Sequence, residues 1–230
     1  MIKRLFFAAL IGLALPPTMA AEFSGYVAIS SDYVRRGVTQ SDSGSALQLG
    51  GDVLFDSGWF LGVWGSTVDI DNGPTRHRDR ELNSYLGYAY DISEDWRVYV
   101  LAVSYEYPRQ TGSVNYDHVE FSITANFNDL VWIEYSHSPD LYNTRQASHN
   151  FEAFVETGLT DHWIIGGGAG YYDVSNLVGK GYGYWQLGVT GNFAYADFDI
   201  RYHDTNRSVP IISTDARSQA RLAVTVMFPF

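Results

Sequence analysis

The chain has 230 residues, with 15 basic and 26 acidic side chains, no cysteine and 16% aromatics. A net charge of −11 opposes a nucleic-acid partner, whose phosphates ask for a basic face. The lack of cysteine excludes a disulfide staple. With 22 glycines, 17 tyrosines and a mean hydropathy just below zero, the chain carries apolar and polar faces throughout rather than one apolar core.

In chain order, Lys3 and Arg4 precede the apolar run Leu5 to Leu15, then Pro16, Pro17 and the small-residue site Thr18-Met19-Ala20. That order predicts a secretory signal peptide over 1–20 and a mature chain over 21–230. The apolar run is too short for a spanning helix, and no later segment approaches about 18 consecutive apolar residues. Setting aside Lys3 and Arg4 leaves 13 basic against 26 acidic residues, a net charge near −13.

From residue 21 onward, segments of period-two alternation predict strands over 22–34, 45–55, 58–69, 80–91, 96–107, 116–127, 130–138, 148–159, 162–174, 181–192, 194–204 and 217–230. Five connectors are tight: Asp56-Ser57, Ile92 to Asp95, Asn128-Asp129, Thr160-Asp161 and the vicinity of Phe193. Six are longer and polar: 35–44, 70–79, 108–115, 139–147, 175–180 and 205–216. Short and long connectors alternate without a slip. This predicts an all-β, antiparallel, up-and-down transmembrane barrel of twelve strands, as one domain over 21–230.

The last strand reads RLAVTVMFPF, with Leu222, Val224, Val226, Phe228 and Phe230 on one parity. Such an ending resembles the terminal strand by which outer-membrane barrels are recognised for insertion, which implies the barrel assembly machinery as a partner. Phe23, Phe55, Trp59, Trp96, Phe127, Trp163, Phe193 and Phe230 gather beside the tight turns, as an aromatic girdle at a membrane interface would.

Gly25 to Gln40 reads GYVAISSDYVRRGVTQ, and Gly58 to Asp69 reads GWFLGVWGSTVD. These two segments resemble the opening of the TorF-like family of outer-membrane porins, proteobacterial conserved hypothetical proteins. The resemblance implies a Gram-negative outer-membrane location and a porin role. It brings no substrate and no catalytic residues.

If the apolar parity faces lipid, the other faces the lumen. Asp52, Glu81, Glu106, Glu120, Glu134, Glu152, Glu156, Asp197 and Asp199 then point inward, against Arg201 and Arg221, with His118 and His203 beside them. Arg201 and Arg221 can pair with Asp197 and Asp199, whereas Glu106, Glu120, Glu134 and Glu152 have no basic partner of their own parity. Two readings stay open. One is a pore whose acidic wall prefers cationic or neutral small solutes. The other is a plugged barrel, structural or surface-binding, because twelve strands lie between filled eight-stranded barrels and wide porins.

The basic residues have another address. Arg35, Arg36, Arg76, Arg78 and Arg80 fall in long loops or at their edges, where forked guanidiniums suit lipopolysaccharide phosphates. A lipid-modifying enzyme would need a nucleophile beside a histidine. Ser136–His137 and Ser148–His149 are adjacent in strands and so point to opposite faces, and the chain is read as non-enzymatic. The six histidines lack zinc spacing, and no cofactor or metal is expected. Gly166 to Gly170 lies within a strand, where it allows close packing against bulky inward side chains.

Overall fold

The computed structural model describes residues 21–71, 76–108, 115–210, 212 and 214–230. The predicted signal segment lies outside the described residues. In chain order the strands are β1 (Ala21–Ser30), β2 (Val34–Arg35), β3 (Val38–Thr39), β4 (Ala46–Phe55), β5 (Trp59–Asp71), β6 (Arg76–Asp91) and β7 (Trp96–Glu106). They continue with β8 (His118–Phe127), β9 (Val131–Ser138), β10 (Ser148–Gly158), β11 (Trp163–Asp173), β12 (Tyr182–Asn192), β13 (Asp197–Thr205) and β14 (Arg221–Pro229). A single α-helical turn, α1 (Ser175–Val178), sits in the loop between β11 and β12. Among the described residues no helix is long and apolar enough to cross a membrane.

Twelve strands, β1 and β4 to β14, form one closed antiparallel barrel. Each pairs with its sequence neighbours, and β1 meets β14 in the register Tyr26↔Pro229 to Ser30↔Thr225. Closure gives each of the twelve strands a partner on both sides, so that no strand forms a free edge of the sheet. The turn at Asn128-Asp129 holds both residues at positive φ (50° and 54°), the two-residue geometry whose twist suits a hairpin.

Alternation sorts the side chains as expected. On β8, Val119, Phe121 and Ile123 are exposed outward while His118, Glu120, Thr124 and Asn126 are buried inward. On β14, Leu222, Val224 and Phe228 point out and Ala223 and Met227 point in. The residues beside the short turns form an exposed outward belt that includes Phe23, Phe55, Trp59, Trp96, Trp163, Phe193 and Phe230. This is the apolar wall with an aromatic girdle that a bilayer requires.

Three expectations are corrected. The segment 70–79 is largely strand: β5 and β6 stay paired out to Asp71↔Arg76, so the polar residues predicted to be a loop extend a hairpin beyond the apolar belt. The first strand stops at Ser30, where the chain turns into the lumen instead of continuing along the wall. On β7 the parity is reversed. Val100 is 54% exposed on the outside, whereas Tyr99 stacks on the buried Trp132 inside. Both faces of β7 are apolar, so hydrophobicity alone could not orient it. Small residues (Val98, Val100, Ala102) meet lipid and large rings fill the interior.

The interior is packed unevenly. Toward the short-turn ends, Phe60, Trp132 and Phe154 are buried and Tyr99 bridges Phe60 and Trp132. Gly166 and Gly168 make room for Phe154, whose ring stands 2.8 and 2.7 Å from where their Cβ atoms would be. Toward the long-loop ends, Val38, Leu141, Val174 and Val209 from four loops join Tyr172, Tyr182 and Tyr184 in one buried cluster. Between these regions lies a cavity of about 490 Å³.

Candidate functional site in the barrel lumen

Residues 31–45 fold into the barrel, and the small hairpin β2–β3 hangs from them into the cavity. Its turn is Arg36-Gly37, with φ of 49° and 75°. Gly37 is required there. Its φ is in the left-handed region, and a Cβ would stand 2.5 Å from Thr205 Cγ2 and 2.9 Å from Tyr184 Cβ. The base of the loop is tied by Asp32, which accepts hydrogen bonds from the Thr39 and Ser41 hydroxyls and from Arg221 Nη1 at 2.8 Å.

The hairpin delivers two guanidiniums to one wall carboxylate. Arg36 donates from Nη1 and Nη2 to the two oxygens of Glu120, each at 2.9 Å, and Nη2 also donates to the Ser136 hydroxyl at 2.9 Å. Arg35 Nη2 donates to Glu120 Oε2 at 3.1 Å. Both groups also lie over aromatic faces, Arg35 over Tyr105 at 4.1 Å and Arg36 over Tyr172 at 4.5 Å from the ring centroids. Burial works against the Arg36 charge, but the Glu120 carboxylate outweighs it, so the Arg36 pKa is raised above the ordinary guanidinium value.

Arg35 and Arg36 are thus not on the outer surface, as their place in a polar loop had implied. They are drawn inward by Glu120, a buried wall acid whose carboxylate accepts from both guanidiniums. Arg78 and Arg80 do face outward and are exposed, with Arg78 donating to Ser45 O. The side chain of Arg76 lies outside the described residues.

The remaining inward acids take different roles. Glu134 and Glu152 are directly opposite each other on β9 and β10 and both line the cavity. Among the described residues their hydrogen-bond donors are neutral, Thr124 at 3.2 Å for Glu134, and Tyr184 at 2.9 Å and Gln186 at 3.3 Å for Glu152. Asp52, across the lumen on β4, is buried and accepts from the Tyr85 hydroxyl, and among the described residues its Oδ2 has no hydrogen-bond donor. Glu81 is fully buried and accepts from Asn83 at 3.0 Å. Glu156 has inward parity on β10, and Asp197 is buried near the short-turn end.

Asp199 holds Arg201 at 2.9 Å within β13, and Arg201 stands over Phe154. Arg221 pairs with Asp32 of the loop rather than with Asp197 or Asp199. Glu106 is placed outside: it pairs with the lipid-facing Leu82 and is exposed. This is the consequence of the reversed β7 parity.

Ser136 and His137 occupy opposite faces. Ser136 is buried against Arg36, while His137 faces outward and stacks on His149 at 4.7 Å. Tyr105 and Tyr172, the rings that hold the arginines, went unrecognised in the sequence. One signal pointed to the arginines themselves. Glu120, Glu134 and Glu152 lacked cations on the wall, and Arg36-Gly37 sits between Val34-Arg35 and Val38-Thr39, two short stretches able to pair as a hairpin.

A family profile described as "Bacterial protein of unknown function (Gcw_chp)" matches residues 15–229. The chain belongs to the Gcw_chp family. No curated protein matches this Gcw_chp chain. Among solved structures it is similar to the KdgM porin, at 11% identity with a TM-score of 0.56, covering 90% of this chain and 99% of that one. It is similar to the NanC porin, at 10% identity and a TM-score of 0.58, covering 90% and 98%. LpxR from Salmonella typhimurium matches at 10% identity and a TM-score of 0.51, covering 90% and 99%. At such identities the likeness is one of fold. The closed twelve-strand Gcw_chp barrel, its apolar outer wall and these neighbours point to an outer-membrane protein.

Proposed function

We propose that this protein is an outer-membrane channel for small solutes, cationic or neutral, narrowed by its own first loop. The observation that carries the proposal is the lumen cavity, whose lining has six carboxylates (Asp32, Asp52, Glu120, Glu134, Glu152, Asp199) against three guanidiniums (Arg35, Arg36, Arg201). A carboxylate-rich wall in a low-dielectric tube lowers the energy of a passing cation and raises that of an anion. One KdgM structure is described in complex with disordered oligogalacturonate, a polyanion. The surplus of acid here favours solutes of the opposite sign. The resemblance of Ser31 to Gln40 to the TorF-like porins supports the same assignment.

The test is recording in planar bilayers under a potassium chloride gradient. The expected reversal potential has the sign of cation preference and shrinks in Glu134→Gln with Glu152→Gln. Anion preference would overturn the solute class, and a folded barrel without conductance would overturn the channel.

A plugged barrel is the second reading, favoured by the buried cluster of Val38, Leu141, Val174 and Val209 at the long-loop end. Lipopolysaccharide contact is assigned to the outward Arg78 and Arg80 and is tested by co-purification after both are neutralised. Insertion through the barrel assembly machinery and the absence of catalysis belong to the same proposal. Hydrolysis of phospholipid by the purified barrel would sink the latter.

A further inference from the structure

The cations in the lumen come from the loop, whereas everything that receives them belongs to the wall. Glu120 is on β8, Ser136 on β9, Tyr105 on β7 and Tyr172 on β11. The receiving site is therefore complete without the hairpin. Its parts are those a guanidinium calls for: a carboxylate presenting both oxygens in a fork, a hydroxyl beside them, and aromatic faces for the planar group. An ammonium would use the charge but, lacking a planar fork, could neither take both oxygens side by side nor stack flat on the rings.

A second feature does not fit a simple anchor. Two guanidiniums share the single Glu120 carboxylate, although Glu134 and Glu152 stand nearby on the next two strands, where their donors among the described residues are neutral. Those two stand opposite each other across β9–β10 and both open on the cavity, presenting a pair of carboxyl groups to whatever enters it. Seated cations and carboxyl groups bonded to neutral donors thus adjoin along one stretch of wall.

We propose that Arg35 and Arg36 are tethered cations occupying a guanidinium-recognition site of the lumen wall, and that a solute bearing a guanidinium group competes with them for it. This inference rests on the channel proposal and names its substrate class. Release asks only that two side chains swing away from Glu120, with the hairpin backbone staying in place. The solute then sits between Glu120 and the Glu134–Glu152 pair. A tethered competitor at millimolar effective concentration weakens the apparent affinity of a free one, here by about tenfold or more.

The experiment is calorimetric titration of the folded, detergent-solubilised full chain with agmatine, which carries a guanidinium. Putrescine, which has charge but no planar fork, is the comparison. In Arg35→Ala with Arg36→Ala, agmatine is expected to bind about tenfold or more tightly than in the unaltered protein, and putrescine to gain less. Adding Glu120→Gln is expected to remove the gain. Equal agmatine affinity with and without the two arginines, or a gain that survives loss of Glu120, would overturn the inference. Arg36→Gln alone supplies the same comparison if the double variant fails to assemble. Bilayer recordings of the same proteins separate the two proposals. Conductance without agmatine binding keeps the channel and removes the site. Agmatine binding without conductance keeps the site and removes the channel.

Discussion

Glu120 governs the interior because groups from three places meet at it: Arg35 and Arg36 of the hairpin, Tyr105 of β7 and His118 of its own strand β8. Its carboxylate is 6% exposed and takes three guanidinium hydrogen bonds from the hairpin, and His118 Nε2 lies 3.8 Å away on the same strand. A buried ion pair is costly to make and more costly to break from one side, since the partner charge is then left in a low dielectric. Glu120→Gln is therefore expected to destabilise the folded barrel by about 3–5 kcal/mol, the usual scale for orphaning a buried charge. In a background already lacking Arg35 and Arg36 the same change is expected to cost much less, so the two effects are non-additive. Urea unfolding of the four proteins in detergent reads the coupling directly, and additive losses would contradict a shared buried network. Sequence could place Glu120 on the inner parity of β8, because alternation is a property of the strand. It could not name the partner, because the pairing spans 84 residues between Arg36 and Glu120 and depends on how a loop folds back.

Elements were legible where the chain sees two environments and obscure where it sees one. β8, β12 and β14 separate lipid from lumen cleanly, and their faces follow from period-two patterning. On β7 both environments are apolar, which hid its orientation and sent Glu106 to the wrong side. The tips of β5 and β6 are polar on both faces because they rise past the apolar belt, and polarity alone looks like a loop. The hairpin β2–β3 was missed for a third reason. It has two residues per strand, too few for a periodic signal. Its geometry is nonetheless strict, which gives a test at this scale. Gly37→Ala forces a side chain into the Thr205 and Tyr184 contacts at an unfavourable φ. The substitution is expected to lift the hairpin from its seat and raise single-channel conductance. An unchanged conductance would mean that the hairpin does not set the bore.

For the molecule as a whole, closure dominates. β1 and β14 hold each other through the same ladder that joins every other pair, and Gly25 and Phe230 exchange backbone hydrogen bonds at 3.0 and 2.9 Å. The chain contains no cysteine, so a pair introduced at Ile29 and Val226, direct partners across this seam, can bond only with each other within one chain. Ile29→Cys with Val226→Cys is expected to cross-link under mild oxidation in the folded barrel and not in the urea-unfolded chain. Failure to link in the folded state would mean an open seam. The same seam has a kinetic meaning. Tyr26 and Pro229 stand at opposite ends of the described chain, so the ring cannot close until almost all of it has been made and delivered. Every earlier intermediate carries two bare strand edges with an apolar face behind them, a form that invites pairing with other chains. Delay in that final contact is thus the moment of greatest exposure to aggregation, and any factor that chaperones this barrel has most to gain by guarding its first and last strands.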